Sequence, residues 1–379
     1  MKQHYSILMI SILIILSTRC KKNSDTTFDN PSQKYISGDI WFNSGYNTFS
    51  QTSDNGFVIA ALVGIHKIYV AKTNSSFDIQ WSKTFGANIA DVGGIVQSND
   101  KGFVLVSNFT DTTVHPNKKY IDLIKLNSSG TLLWEKKYEF RYQYATGFAL
   151  RETQDKGFIV TTVHDKIDNQ GMNFIELFKV NSNGDSLWSS DYSNHYTTSG
   201  HDIQITSDNG YITAGDKIVL KTDSMGTSQW EQYFESVTFT NVRILPDGSY
   251  IVLGTKDVAT YTSSNVLDYI LMKFDPGGNK LWENLYNVGD HESSANLSLT
   301  PEGGFIFSGI TENESGDKNE VVIIKTDGEG HELTSKILYS NFAPEAWGLI
   351  WQNGSYIYYG GTTLSTGTEY YLTLMKFNM

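Results

Sequence analysis

Short runs of alternating apolar and polar residues, separated by turns rich in Asp, Asn and Gly, fill the chain beyond its first forty residues. In FIELFKV, Phe174, Glu176 and Phe178 face one way and Ile175, Leu177 and Lys179 the other. A period of two marks a strand with one face turned to a core. No stretch after residue 20 keeps a helical period over three turns. The hydrophobic pattern therefore predicts strands joined by tight turns.

Two turn patterns recur. In the first, an acid or amide sits three residues before an aromatic, with Gly between, as in SDNGFVIA (Asp54 to Phe57) and NDKGFVLV (Asp100 to Phe103). It returns from Asp155, Asp208, Asp247, Glu302 and Asn353, and the aromatics lie 46, 55, 53, 39, 55 and 51 residues apart. In the second, a Lys precedes a Trp by nine residues: Lys72 and Trp81, Lys125 and Trp134, Lys179 and Trp188, Lys221 and Trp230, Lys273 and Trp282. In the sixth instance Thr334 follows Lys325 at that distance, and the seventh Lys, Lys376, stands at the chain end. Both patterns are hairpin signals, because Gly accepts unusual backbone angles and Asp or Asn caps its own turn. Two hairpins per unit give four short antiparallel strands. Four-stranded units repeated near every 50 residues are the signature of a β-propeller.

Seven units predict a seven-bladed β-propeller over residues 37–379. The last unit lacks its outer strand, and a spare segment, SGDIWFNSGY with Trp41, stands at the N-terminal end. Residues 38–46 are expected to pair with the C-terminal blade and close the ring, which would leave no free sheet edge. The alternation of TxDGGYIxxG with IxKxDxxGxxxW resembles the repeat of Bacteroidota-type lipid-anchored β-propeller proteins with quinoprotein-like or delta-60-like blades. That resemblance covers about residues 38–379 and implies the fold more than any activity.

The first 19 residues change the picture of where the protein works. Lys2 precedes an apolar run from Ile7 to Leu16, which is too short to span a bilayer as a helix and fits a secretory signal. The only cysteine, Cys20, follows directly and matches the lipidated residue of bacterial lipoproteins, although Arg19 stands where a small residue is usual. Residues 20–36 read as a flexible tether. The expected address is the cell envelope, with a lipid anchor in the outer membrane as the one contact with the bilayer. A single cysteine excludes an intrachain disulfide and any cysteine-based metal site. A net charge of −12 argues against a nucleic-acid partner, which needs a basic face. A monomer is expected.

Repeated Trp, Lys and turn Asp residues are expected to hold the blades together, so residues that break the repeat carry the functional signal. The long connections all fall on one face, the one opposite the tight hairpins. Its candidate binding residues are His115, Tyr144, His164, Asp165, His195, Tyr196, His201, Asp202, Asp290, His291 and Glu292. No cofactor is expected, although His and carboxylate groups from several loops could hold a divalent metal. No catalytic motif is present: there is no GxSxG, no Walker loop and no HExxH. The sequence points to a binding or scaffold module for a protein or glycan, acting through the long-loop face. The alternative is a hydrolase or lyase acting on a glycan or small molecule at the channel mouth.

Overall fold

The computed structural model describes residues 32–37, 44–64, 66–86, 89–114, 118–139, 145–165, 173–192, 199–258, 266–289, 292–312, 319–338, 343–352, 354–363, 370–377 and 379. Two strands precede the first complete blade, β1 (Ser32–Ser37) and β2 (Ser44–Asn47). The first blade is β3 (Phe49–Gln51), β4 (Phe57–Val63), β5 (Lys67–Thr73) and β6 (Ile79–Phe85). The second is β7 (Ile89–Gln97), β8 (Phe103–Asp111), β9 (Lys118–Leu126) and β10 (Leu132–Glu139), and the third is β11 (Ala145–Glu152), β12 (Phe158–Asp165), β13 (Asn173–Val180) and β14 (Ser186–Tyr192). A six-stranded sheet follows: β15 (Gly200–Ile205), β16 (Tyr211–Thr222), β17 (Ser228–Ile244), β18 (Tyr250–Asp257), β19 (Leu267–Phe274) and β20 (Lys280–Tyr286). Then come β21 (Glu292–Leu299), β22 (Phe305–Glu312), β23 (Asn319–Thr326) and β24 (Glu332–Leu338) in one sheet, and β25 (Ala343–Gln352), β26 (Ser355–Thr363) and β27 (Tyr370–Phe377) in the last.

The strands form an all-β propeller, but with six blades and not the expected seven. The difference lies at the fourth and fifth sequence repeats, whose strands join in one sheet. Its cause is the length of two connections. In the second blade, Asp111 and Lys118 bound a loop between the second and third strands, whereas Gly215-Asp216-Lys217 leaves no such gap and Tyr211–Thr222 is one strand. Likewise β17 runs unbroken for 17 residues, its first half paired with β16 and its second with β18. Between those halves the sheet folds on itself, so that Ile212, Ala214 and Val219 pack against Val242, Val252 and Ile270.

The closing strand also differs. β1, not residues 38–46, completes the last sheet, running antiparallel to β27 from Ser32↔Lys376 to Ser37↔Tyr371. The expected segment carries Gly38 and Gly45, which weaken a ladder, while QKYIS carries the aromatic and β-branched side chains that suit one. Trp41 lies outside the described residues. Past it, β2 pairs in parallel with β7, Ser44 opposite Val92 and Asn47 opposite Gly94. It also touches β4, β11, β15 and β25, so this short strand reaches into the centre of the ring.

The hairpins explain the repeated residues. Lys72, Lys125, Lys179 and Lys221 are buried, and each reaches the turn acid of its own unit at 2.9 Å: Asp54, Asp100, Asp155 and Asp208. Partial burial works against the Asp54 carboxylate, but bonds donated by the Thr52 hydroxyl, Lys72 and the Gly56 N–H outweigh it and hold its pKa at about 2. Asp100, Asp155 and Asp208 are held at about 2 in the same way. In these turns the positive φ falls on Asn55, Lys101, Lys156 and Asn209, not on the Gly that follows. Gly56 is required for another reason, since a Cβ there would sit 2.1 Å from the Thr73 carbonyl oxygen.

The Trp residues pack between blades. Trp81 lies over Gly130 of the next unit, where φ is +77° and a Cβ would meet the indole at 2.7 Å. Its Nε1 donates to the Ser128 carbonyl at 3.1 Å, and its ring meets Phe103 edge-on at 5.5 Å. Trp134 over Gly184, Trp188 over Gly226, Trp230 over Gly278 and Trp282 over Gly330 repeat the contact. The core lies in these inter-sheet layers, as where Val58 and Val70 meet Ile95, Phe103 and Leu126.

Candidate functional site

Six inner strands, β7, β11, β15, β17, β21 and β25, share a defect that β3 lacks. Register breaks between Val92 and Gly94, Gly147 and Ala149, Gly200 and Asp202, Phe239 and Asn241, Ser294 and Asn296, and Ala346 and Gly348. Each break is a β-bulge, which inserts one residue and re-aims its neighbours. The result is a ring of bulges around the channel. Asn47, at the end of β2, sits at the same level and donates from its amide to the His201 carbonyl at 2.8 Å.

Between that ring and the hairpins that follow the inner strands is a cavity of about 600 Å³. This is the size range of small-ligand sites. Its walls come from β2, β3, β7, β11, β15, β17, β21 and β25. Amides and hydroxyls dominate the lining, among them Gln51, Gln97, Gln204, Asn296 and Ser298. Two cations stand out, Arg151 on β11 and Arg243 on β17.

Asp202 fixes both arginines. It follows the bulge at His201 and has no exposed surface. One carboxylate oxygen accepts Arg151 Nη2 at 2.7 Å and the Ile203 N–H at 2.8 Å; the other accepts Arg243 Nη1 at 2.6 Å and the Val242 N–H at 3.2 Å. Each arginine also donates to a backbone carbonyl, Leu150 and Val242 respectively. Burial, and then the like charge of Arg243, lower the pKa of Arg151, with Asp202 opposing the fall. A guanidinium starts so high that it stays charged. One buried carboxylate thus holds two guanidinium groups, each with 22% of its side chain still open. Among the described residues, Glu152 is the one acid in the cavity wall, and it accepts the Asn99 N–H at 2.6 Å. Paired, preorganised guanidinium groups in a polar recess suit a carboxylate or another oxyanion, which they can bind through parallel hydrogen bonds.

A second polar cluster lies on the third blade. His164 on β12, Glu176 on β13 and Asp191 on β14 bring one ligand atom each to within 4.8 Å of one another. His164 Nε2 and Asp191 Oδ1 are 2.9 Å apart, and the Thr162 hydroxyl donates to Glu176 at 3.1 Å. Burial pushes the pKa of Glu176 up to about 7; Asp191 adds to the rise, while His164, Ser189 and Thr162 oppose it.

Of the residues expected from the sequence, His164 falls in this second cluster and Asp202 lies buried behind the channel arginines. His201 is built into its bulge: Nδ1 is 2.8 Å from the Phe239 carbonyl, Nε2 is 2.9 Å from the Ser199 hydroxyl, and Phe148 meets the ring edge-on. Glu292 accepts the Val288 and Gly289 N–H groups and so caps its own connection. Asp165 ends β12, and its side chain is outside the description. Cys20, His115, Tyr144, His195, Tyr196, Asp290 and His291 lie outside the described residues. Sequence reasoning missed Arg151, Arg243, Glu176 and Asp191. A signal for the first two existed: the chain has four arginines, and two occupy the same place in their repeats, seven residues before the turn aromatics Phe158 and Tyr250.

No family model and no curated protein matches the chain. Solved structures do. A polysaccharide lyase, Uly1, is 10% identical with a TM-score of 0.55, and the match covers 94% of each chain. A complex described as BBS1N with ARL6DN gives 11% identity and a TM-score of 0.53 over 91% of this chain and 97% of the other. A protein of unknown function from Dyadobacter fermentans gives 9% identity and a TM-score of 0.51 over 92% of this chain and 100% of its own. At these identities the likeness is one of fold alone.

Proposed function

We propose that the protein is a lipid-anchored extracytoplasmic binding module whose central channel takes an acidic glycan or a ligand with a similar carboxylate. One observation carries the ligand class: Asp202 holds Arg151 and Arg243 side by side at the wall of a polar cavity of about 600 Å³. The address rests on the apolar run from Ile7 to Leu16 and on Cys20. Titration calorimetry with uronate-containing and neutral oligosaccharides tests the ligand class. Acidic oligosaccharides should bind, more weakly at high salt, and Arg243→Gln should weaken them about tenfold or more, the loss expected for one charge-assisted hydrogen-bonding group. Equal affinity for neutral sugars would sink it. A Cys20→Ser protein that still partitions with membranes would overturn the anchor.

A hydrolase or lyase is the second reading. It is favoured by the polysaccharide lyase among the structural neighbours and by the titratable cluster at Glu176. Ultraviolet absorbance of an unsaturated product, after incubation with acidic polysaccharide, would separate catalysis from binding.

A further inference from the structure

The geometry points to a divalent metal site of the zinc class on the third blade, with His164, Glu176 and Asp191 as its three protein ligands. The inference is independent of the channel reading, since neither arginine touches these residues. An imidazole nitrogen and two carboxylate oxygens are the donor set that zinc and neighbouring transition metals prefer. Calcium and magnesium favour oxygen alone. The atoms already converge within 4.8 Å, and His164 Nε2 and Asp191 Oδ1 stand at 2.9 Å. Metal–ligand bonds of about 2.0–2.2 Å would be reached by small side-chain movements.

The rest of the ring shows that the fold does not require this trio. Glu176 lies opposite Asp191 across the third and fourth strands. The same cross-strand pair elsewhere is Tyr69 with Thr84, Asp122 with Lys137, Ile270 with Leu285, and Val322 with Ile337. The place of His164, six residues after the turn aromatic, holds Val63, Phe109, Lys256 and Thr311. The second blade also buries an acid, Asp122, beside Glu135, but there a lysine, Lys137, stands opposite and no imidazole joins them. Among the described residues, only the third blade sets two carboxylates and an imidazole together. Burying Glu176 at 3% exposure is costly; His164 offsets part of that cost, and Asp191 sets a second carboxylate beside it. A bound cation would offset both carboxylates.

The surroundings suit a ligand set. The Thr162 hydroxyl orients Glu176, and Phe174 stacks along the His164 ring at 5.9 Å, which holds the imidazole in plane. Three protein ligands leave the ion a position for water or an incoming group.

The test uses the mature chain, stripped with a chelator and titrated with zinc alone by calorimetry. One saturable zinc per chain is expected, with a rise in the melting temperature. Glu176→Gln and Asp191→Asn, which keep shape, should each weaken zinc at least tenfold while circular dichroism stays unchanged, and Arg243→Gln should not affect it. No saturable binding, or zinc affinity unchanged in both variants, overturns the proposal and leaves a buried ion pair. Should either variant fail to fold, cobalt(II) added to the unaltered protein decides. Visible bands of a low-coordinate nitrogen–oxygen site support the assignment, and the spectrum of the hydrated ion refutes it.

Discussion

Two kinds of ion pair hold this ring, and they differ in what the repeat says about them. At the hairpins, Lys72 with Asp54 and its counterparts recur from unit to unit, each with the carboxylate about half exposed. At the channel, Asp202 is wholly buried, occurs once, and binds two arginines from neighbouring inner strands. Exposed pairs contribute little each because water and salt screen them, whereas breaking a buried one leaves an uncompensated charge. Repeated residues are thus the frame of the molecule. Residues that break the repeat are where a ligand would be recognised.

The largest effect should come from Asp202→Ala. It strands two guanidinium groups beside each other, and a loss of about 3–5 kcal/mol is expected in denaturant unfolding. A loss below about 1 kcal/mol would erase the contrast between the two regions. Trp81→Ala comes next. It removes one of the five Trp-over-Gly contacts between units, and about 2–4 kcal/mol should be lost. If Trp81→Ala costs as little as a surface change, the blades are held by their inner strands alone.

The hairpin acids give the smallest single effects and a defined pH window. Their folded pKa values, about 2, lie below the unfolded value of roughly 3.9. Their contribution is therefore complete above about pH 4 and disappears as the pH falls toward about 2. Melting temperature should drop through that interval. Asp100→Asn should cost about 0.5–1 kcal/mol at neutral pH and flatten the drop. A melting temperature constant from pH 5 to pH 2 would show that the staples carry no stability.

Much of the frame was legible because each hairpin states itself locally. Asp, Gly and an aromatic at fixed offsets are enough to place a turn and the strand after it. The number of sheets was less so. GDK at 215–217 has the composition of a tight turn, and WEQYFESVTFTNV, from Trp230 to Val242, has no Gly or Pro to interrupt it. A missing break is a weaker sign than a present one, so a repeat count predicted seven sheets where the ladders make six. The site was less legible still. Asp202 stands out beside His201 as a candidate on the long-loop face, yet a bulge turns it inward to meet arginines 51 residues before it and 41 after. Pairing across that distance follows from closure of the ring, which local spacing does not encode. Glu176 was assigned only to a strand face, and its company became visible when β12, β13 and β14 lay side by side.

The position of β1 has a mechanical consequence. Any pull on the chain upstream of residue 32 first loads the six register pairs between β1 and β27, at the rim of the ring. Such a ladder can open one pair at a time, like a zip, while β2 stays seated among the inner strands. The ring would then yield at its seam under tension and keep its channel closed at the centre, so that a force applied upstream of residue 32 is absorbed before it reaches the arginines.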